Sequence, residues 1–343
     1  MKKLLNTVYV TTEGASLKKD GENLVAMLDG AEKARVLLHM LASVVTFGPI
    51  FISPGLIQAC ATAGISIALL DRVGRFQARI EGPVSGNVLL RRTQYLQSDR
   101  PEPFVRGFLI GKIANQRTVL QRALRDRPDL DANARAAIES AVGRLGMILR
   151  RVTNGADDVD TLRGYEGEAA NHYFGVFNHL IASEDPFMRF NGRSRRPPLD
   201  AVNGLLSLLY TLLTHECRSA AESVGLDPAV GFLHRDRPGR PSLALDLMEE
   251  LRPVFVDRLA LALINRKQIQ AGDFETRDGG AVLLNEPGRK TVLTAWQERK
   301  KTERRHDFLE ETAPFGLVPY LQALLLARHL RGDLDAYPPW FWK

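Results

Sequence analysis

The sequence predicts an α+β fold, in which a small, mainly β N-terminal domain precedes a larger all-α domain. Residues 3–90 consist of short β-branched runs separated by glycine and proline, which is typical of strands and turns. From about residue 103 onward, apolar residues recur at steps of three and four, which is typical of amphipathic helices. A polar stretch that contains proline separates the two patterns. We therefore expect a β domain over residues 1–90, a linker over 91–103 and a helical domain over 104–343.

Two local signals define elements within the β domain. Asp20 and Gly21 form a dipeptide that favours a tight turn, and β-forming residues flank it, so we expect a hairpin there. Ser53 and Pro54 are residue types preferred at the N-cap and first position of a helix, and Gly64 is the type that follows a helix C-terminus. The residues between these signals are therefore predicted to form one short helix among the strands.

The helical domain contains several amphipathic stretches, and residues 104–124 and 130–152 are the first two. The final residues, 337–343, read YPPWFWK and follow the last periodic stretch. We expect them to form a loosely ordered tail, because chain termini are often poorly held.

Composition and missing motifs exclude several classes of protein. Cys60 and Cys217 are far apart, which argues against a disulfide scaffold or a thiolate zinc site and favours a reducing, cytoplasmic location. The sequence has no phosphate-binding loop, dinucleotide-binding glycine motif or nucleophile-elbow serine. The apolar residues at the N-terminus and at 36–52 are too short or too polar for a membrane span, so no membrane association is expected.

Positive charge is concentrated in a few segments, and the net charge of the chain is +6. Such clusters contact phosphates in nucleic-acid-binding proteins, although a basic run can also be a solvated helix face. The candidates for contact with nucleic-acid phosphates are Arg193, Arg195, Arg196, Arg235, Arg237, Arg240, Arg252, Arg289, Lys290, Lys300 and Lys301.

Acidic residues and one histidine occur on predicted helices near apolar surface. Helical spacing places Glu166 on the packing face of its helix, whereas Glu168 falls on the solvated face. Asp246 and Glu249 are three residues apart, so both project from one side of another helix, and His234 precedes that helix. Carboxylate oxygens with one imidazole form a ligand set that suits Mg²⁺ or Mn²⁺ better than structural zinc. Arginines that follow His234 would bind phosphate beside such an ion.

An ordinary structural explanation is also open for these residues. His234 would then be a satisfied, partly buried histidine, and the acids would pair with Arg235, Arg237 or Arg252. Spacing alone does not decide between the two explanations.

These motifs together resemble the CRISPR-associated integrase family, which is numbered one in the CRISPR-associated protein series and inserts new spacers into CRISPR arrays. The resemblance covers almost the whole chain. It includes the opening LNTVYVTTEGASLKKDGENLV, the later YEGEAANHYF, and VGFLHRDRPGRPSLALDLMEELRP with INRKQ downstream, in the family's order and spacing. The sequence of the segment HRDRPGRPSLALDLMEELRP is most similar to that of subtype I-C members.

The resemblance implies roles for particular residues and partners. Glu166, His234 and Glu249 stand where the family has its catalytic metal ligands, and Asp246 matches a neighbouring acid that is a candidate further ligand. The family also implies Mg²⁺ or Mn²⁺, a homodimer with the β domain as dimerisation and DNA-contacting domain, and a higher-order complex with CRISPR-associated protein two. Its DNA partners are the protospacer and the CRISPR repeat and leader.

The implied reaction is a transesterification, in which a 3′-hydroxyl of incoming DNA attacks a phosphodiester at the repeat boundary. Two alternatives remain open at this point. One is a metal-dependent endonuclease that acts on branched DNA, since the same ion can activate water. The other is a non-catalytic DNA-binding scaffold, in which the acids and His234 form only ion pairs.

Overall fold

The computed structural model describes residues 5–72, 74–83, 87–155, 157–194 and 197–343. Strands dominate the N-terminal part and helices the rest, so the predicted α+β fold is confirmed. The chain divides into two compact units: Met1–Ser85 with Leu284–Leu293, and Gly86–Leu283 with Thr294–Lys343. Among the described residues, no helix is long and apolar enough to cross a membrane.

Within the described residues, the first unit contains two four-stranded sheets. Its elements are β1 (Asn6–Val10), β2 (Ser16–Asp20), β3 (Asn23–Leu28), β4 (Ala31–Leu37), β5 (Leu41–Phe47), β6 (Phe51–Ile52), α1 (Pro54–Thr62), β7 (Ser66–Leu70) and β8 (Phe76–Ile80). One sheet has the order β1-β5-β7-β8 and the other β4-β3-β2-β6. Leu17, Leu56 and Ile67 are fully buried in the core of this unit because alternate strand positions and one face of α1 are apolar.

Both local predictions for this unit are confirmed. β2 and β3 pair in antiparallel fashion, with Asp20 opposite Asn23, and Gly21 has a φ of +55° in the turn. Helix α1 begins as its residue types predict, since the Ser53 side chain accepts the Leu56 N–H at 3.3 Å. Gly64, just beyond the helix, has a φ of +70°, which glycine adopts without a steric cost.

The second unit is mainly helical. Its elements before residue 284 are α2 (Val88–Gln97), α3 (Glu102–Asp126), α4 (Ala132–Asn154), α5 (Val159–Gly175), α6 (Ala201–Ser223), α7 (Ser242–Leu247), α8 (Arg258–Asn265), β9 (Phe274–Thr276) and β10 (Val282–Leu284). The remaining elements of the chain are α9 (Glu286–Lys301), β11 (Glu303–His306), β12 (Glu311–Pro314) and α10 (Val318–Leu330). Helix α3 packs against both α4 and α5, and a π-helical turn at Arg252–Asp257 leads into α8.

Helix α2 occupies most of the predicted linker at 91–103, and the side chain of Gln94 within it is fully buried. Its amide donates to the carbonyls of Asp227 and Val230, each at 2.9 Å, and its oxygen accepts the Asp227 N–H at 2.9 Å. Polar composition suggested a linker, but the polar side chain of Gln94 is buried within the second unit, where backbone groups satisfy its hydrogen bonds.

The prediction of a loosely ordered C-terminal tail is wrong. Tyr337, Trp340 and Trp342 are all buried. The Trp340 N–H donates to Oε2 of Glu250 at 2.7 Å, and the Trp342 N–H donates to Oδ1 of Asn115 at 2.8 Å. Burial of these large aromatic side chains, together with satisfied backbone groups, holds the tail in place.

Candidate active site

Three elements of the second unit bring Glu166, His234 and Glu249 together. Glu166 lies on α5, His234 lies in the loop before α7, and Glu249 lies in the turn after α7. Nε2 of His234 is 3.8 Å from Oε1 of Glu249. The Lys112 ammonium, from α3, is 2.6 Å from Oε2 of Glu249 and also pairs with Oε1 of Glu166. The predicted acids and imidazole therefore converge, with a lysine between the two glutamates.

Helix α5 begins at Val159. The Asp158 side chain caps it by accepting the Thr161 N–H at 2.7 Å. Glu166 and Glu168 have similar side-chain exposures, 33% and 40% respectively. What distinguishes them is the partner, because Glu168 pairs with Arg151 at 3.5 Å whereas Glu166 faces Lys112.

Asp246 orients His234. Its fully buried carboxylate accepts the backbone N–H groups of Phe232, Leu233 and His234 at 2.6, 3.0 and 3.0 Å. Nδ1 of His234 lies 2.6 Å from Oδ1 of the same carboxylate, which leaves Nε2 directed towards Glu249. Both oxygens of Asp246 thus have partners, so we correct its assignment from a further metal ligand to a residue that positions the imidazole.

Glu249 is a buried carboxylate with two cationic partners. Arg252 Nη2 is 3.1 Å from its Oε1, and Lys112 is the second partner. Burial by itself raises the pKa of Glu249, but the charges of Arg252 and Lys112 outweigh it and lower the pKa to about 2. Burial likewise lowers the pKa of Lys112, yet the carboxylates of Glu249 and Glu166 raise it overall. Glu249 and Lys112 are therefore both stabilised in their charged forms.

Glu250 turns away from the site, as helical geometry predicts. It is fully buried and accepts hydrogen bonds from the hydroxyl of Tyr337, from Nε2 of Gln322 and from the N–H of Trp340. Burial raises the pKa of Glu250 to about 7, and these hydrogen bonds only partly oppose the rise.

Lys112 is the residue that sequence reasoning missed. A single lysine on an amphipathic helix usually faces solvent, whereas only 7% of this side chain is exposed. The sequence did contain a sign that this part of α3 is buried, namely two glycines one helical turn apart, Gly107 and Gly111. A Cβ on Gly107 would lie 2.9 Å from Cδ1 of Tyr337, and one on Gly111 would lie 2.8 Å from Cβ of Glu250. Close approach to this helix therefore requires glycine on the face next to Lys112.

A small cavity lies beside Glu166. Lys112, Glu166, Arg193, Tyr210 and Arg252 contribute to its lining. The guanidinium carbons of Arg193 and Arg252 lie 5.1 and 4.9 Å from the centre of the Tyr210 ring. Three cations and the carboxyl groups of Glu166 and Asp257 thus face one cavity, where the guanidinium groups can bind an anionic group.

Arg252 is half-buried, pairs with Glu249 and also lines the cavity. Two other candidate phosphate contacts are buried instead and must be corrected. Lys300, which is 3% exposed, pairs with Glu216 at 2.5 Å. Arg289 is buried in the first unit, where its guanidinium lies 5.4 Å from the Phe47 ring centre. Their sequence runs are basic, but packing turns these side chains inward.

The other candidates are distributed as follows. Arg235, Arg237, Lys290 and Lys301 are exposed, and Arg240 is half-buried. Arg235 pairs with Asp160 at 2.9 Å and Lys301 with Glu298 at 2.7 Å. Arg195 and Arg196 lie outside the described residues.

The donor set fits a divalent ion in kind. Two carboxylates and an imidazole whose orientation is fixed by Asp246 are ligands that Mg²⁺ and Mn²⁺ accept. Among the described residues, however, no three such groups lie close enough together to hold an ion as they stand. The Lys112 ammonium lies between Glu166 and Glu249 and pairs with both.

A family model described as CRISPR associated protein Cas1 matches residues 8–298. The chain belongs to the Cas1 family. A CRISPR-associated endonuclease Cas1 from Rhodospirillum rubrum is 71% identical over 344 residues, covering 100% of each chain. Membership makes this Cas1 chain an enzyme of the CRISPR-associated endonuclease and integrase class.

Two solved structures share the fold of this Cas1 chain. A casposase bound to its integration product matches with a TM-score of 0.82 and 20% identity, over 99% of this chain and 95% of that chain. A chain of a Cas6-RT-Cas1–Cas2 complex matches with a TM-score of 0.81 and 24% identity. The match covers 100% of the Cas1 chain described here and 36% of that longer chain.

Proposed function

We propose that this Cas1 chain joins DNA 3′ ends to the repeat boundary of a CRISPR array, using Mg²⁺ or Mn²⁺ held by Glu166, His234 and Glu249. The observation that carries the proposal is the convergence of these three groups, with Asp246 fixing the imidazole. When bound, the ion would polarise the phosphorus centre and stabilise the attacking and leaving oxygens. The adjoining cavity with its three cations would receive the phosphate.

Each protein group has a task in this transesterification. The 3′-hydroxyl oxygen of incoming DNA forms a bond to phosphorus while the bond to the target strand's own 3′ oxygen breaks. The attacking hydroxyl loses its proton and the leaving oxygen gains one, so the number of phosphodiesters is unchanged. Lys112 and Arg252 offset negative charge at the buried Glu249, and Arg193 faces the cavity beside them.

The partners are part of the proposal. We take the DNA ligands to be protospacer and CRISPR repeat, the assembly to be a homodimer with contacts through the β domain, and the second protein to be Cas2. The complex that names Cas1 with Cas2 supports the last of these, as does family membership. A prokaryotic cytoplasmic location is proposed with them. The relatives found do not support the narrower subtype I-C, so the proposal is made for the family.

Two alternatives each have an observation in their favour. The Rhodospirillum rubrum relative is named an endonuclease, which favours DNA cleavage as the reaction, with water in place of the attacking 3′-hydroxyl. The ion pairs from Lys112 to Glu166 and Glu249 favour a non-catalytic DNA-binding scaffold.

One experiment separates the three. A labelled duplex with free 3′-hydroxyl ends and a supercoiled plasmid with a CRISPR repeat are incubated with the protein and Cas2, in Mg²⁺, Mn²⁺ or EDTA. His234→Ala is compared with His172→Ala, a matched histidine on α5 that lies 3.8 Å from Glu168.

We expect metal-dependent transfer of label into the plasmid, lost in His234→Ala and retained in His172→Ala. Nicking without label transfer would favour the endonuclease. Tight DNA binding without any product, in all three proteins, would favour the scaffold.

A further inference from the structure

Four arginines from four elements of the second unit surround two aromatic side chains. The guanidinium carbons of Arg122 on α3 and Arg258 on α8 lie 3.9 and 4.1 Å from the ring centre of Trp342. Those of Arg299 on α9 and Arg304 on β11 lie 5.6 and 5.7 Å from the ring centre of Phe315. We call these four residues the arginine cluster.

The charges of the arginine cluster are not balanced by acids. Among the described residues, none of the four forms an ion pair, and the nearby carboxylate of Asp126 already pairs with Arg125 at 2.8 Å. By contrast, Lys300, which follows Arg299, is paired with Glu216.

Burial and mutual repulsion lower the pKa values of two cluster members. Burial, followed by the charge of Arg122, lowers the pKa of Arg258. Burial, followed by the charges of Arg258 and Arg304, lowers the pKa of Arg299. The Nε atoms of Arg299 and Arg304 are buried without a hydrogen-bond partner. Buried guanidinium groups without acidic partners lower the stability of the fold, and such groups are typical of sites that bind an anion.

We propose that the arginine cluster is a second anion site, separate from the cavity beside Glu166, and that it binds phosphates of the DNA backbone. Guanidinium groups bind phosphate oxygens in bidentate fashion, and their stacking on Trp342 leaves their edges available as donors.

Position along α3 favours DNA over an acidic protein as the ligand. Arg122 is ten residues beyond Lys112 on the same helix, which corresponds to about 15 Å. The rise per nucleotide of a B-form strand is about 3.4 Å, so the same DNA would reach the arginine cluster within about five nucleotides. This argument rests on the proposed function, because it takes the DNA to be bound beside Lys112.

The C-terminal tail is what assembles the site. The Trp342 N–H is held by Asn115, which lies three residues after Lys112 on α3. This contact places the Trp342 ring against Arg122 and Arg258. The tail thus links the region of the active site to the arginine cluster through one helix.

The test measures DNA binding in EDTA, so that it does not depend on catalysis. Fluorescence anisotropy of a labelled duplex is recorded over a range of salt concentrations for the parent chain and for Arg122→Gln/Arg258→Gln. The matched control is Arg144→Gln/Arg150→Gln, which removes the same charge from exposed positions on α4. Thermal unfolding checks that each variant is folded.

We expect the slope of log K against log salt to fall by about 1.8 in the cluster variant, at roughly 0.9 for each phosphate contact. A fourfold rise in salt would then weaken its binding about 12-fold less than that of the parent chain. The control should lose less than half as much slope.

Equal slopes in the parent chain and cluster variant, or equal losses in both variants, would overturn the proposal. Polyglutamate is added as a competitor. If it competes with DNA for the parent chain but not for the cluster variant, while the slopes stay equal, the ligand is an acidic peptide and the DNA assignment is wrong. A parent chain that binds DNA with the expected slope but does not integrate would contradict only the proposed function. A parent chain that does not bind DNA would refute both.

Discussion

Replacing Lys112 by methionine removes a buried charge while keeping a side chain of similar length. Glu249, which is 3% exposed, then retains only Arg252 as a close cationic partner, apart from His234 at 3.8 Å. The pKa of Glu249 is lowered from 4.5 to about 2, which corresponds to about 3.4 kcal/mol of net stabilisation of the carboxylate. Because Arg252 remains, we expect Lys112→Met to lower the free energy of unfolding by about 2–4 kcal/mol at neutral pH, near the range for breaking a buried ion pair.

The pH dependence of this loss has a defined sign. A carboxyl group whose pKa is lowered by folding contributes stability above its unfolded value, here 4.5, and loses it as the pH falls through about 2. In Lys112→Met one of the charges that lower this pKa is gone, so Glu249 protonates at a higher pH than in the parent chain. The deficit relative to the parent chain should therefore be largest near neutral pH and shrink as the pH falls below about 4.5 towards 2.

Urea denaturation of the parent chain, Lys112→Met, Glu249→Gln and the double variant measures the effect and the coupling between the two residues. Lys301→Met is the matched control, because this exposed lysine also pairs with a glutamate, Glu298, and should cost less than about 1 kcal/mol. The reasoning would be refuted if Lys112→Met unfolds like the control. It would also be refuted if Glu249→Gln, which needs no counter-charge, does not reduce the cost of losing Lys112.

Three further predictions follow from the buried polar and aromatic groups. Asp246→Asn should weaken Mn²⁺ binding by about 10–100-fold, measured by calorimetric titration, because an amide cannot accept all the hydrogen bonds that orient His234. The pKa of Glu250 is raised from 4.5 to about 7, so the parent chain should lose stability as the pH rises through that window. Asp257, whose pKa burial raises to about 6, contributes a slope of the same sign, so Glu250→Gln should reduce the slope in denaturation curves without removing it, and an unchanged slope would contradict the prediction. Trp340→Ala should lower the free energy of unfolding by about 3–5 kcal/mol, since this side chain is 1% exposed, and a loss below about 1 kcal/mol would restore the interpretation of a loose tail.

The local structure of the chain could be predicted well because its signals are short-range. Ser53, Pro54 and Gly64 define helix α1 through capping and backbone preferences that act within a few residues. Apolar periodicity defined the long helices α3 and α4 of the second unit for the same reason. Acidic spacing also identified Asp246 and Glu249 as neighbours on one side of a helical segment.

The sequence by itself thus determined the α+β class, most of the helices and three of the groups that meet in the candidate site. Only the tertiary structure decided which charges are buried and paired. Arg289 and Lys300 were predicted to contact phosphates, yet Arg289 is buried and Lys300 pairs inside the protein with Glu216, while Arg299 and Arg304 join arginines from distant segments. The burial of Lys112 could not be predicted for the same reason, because its acidic partners come from α5 and from the turn after α7. Whether a cation is solvated or paired depends on the dielectric environment and the partners that long-range packing brings to it, and neither is encoded in neighbouring residues.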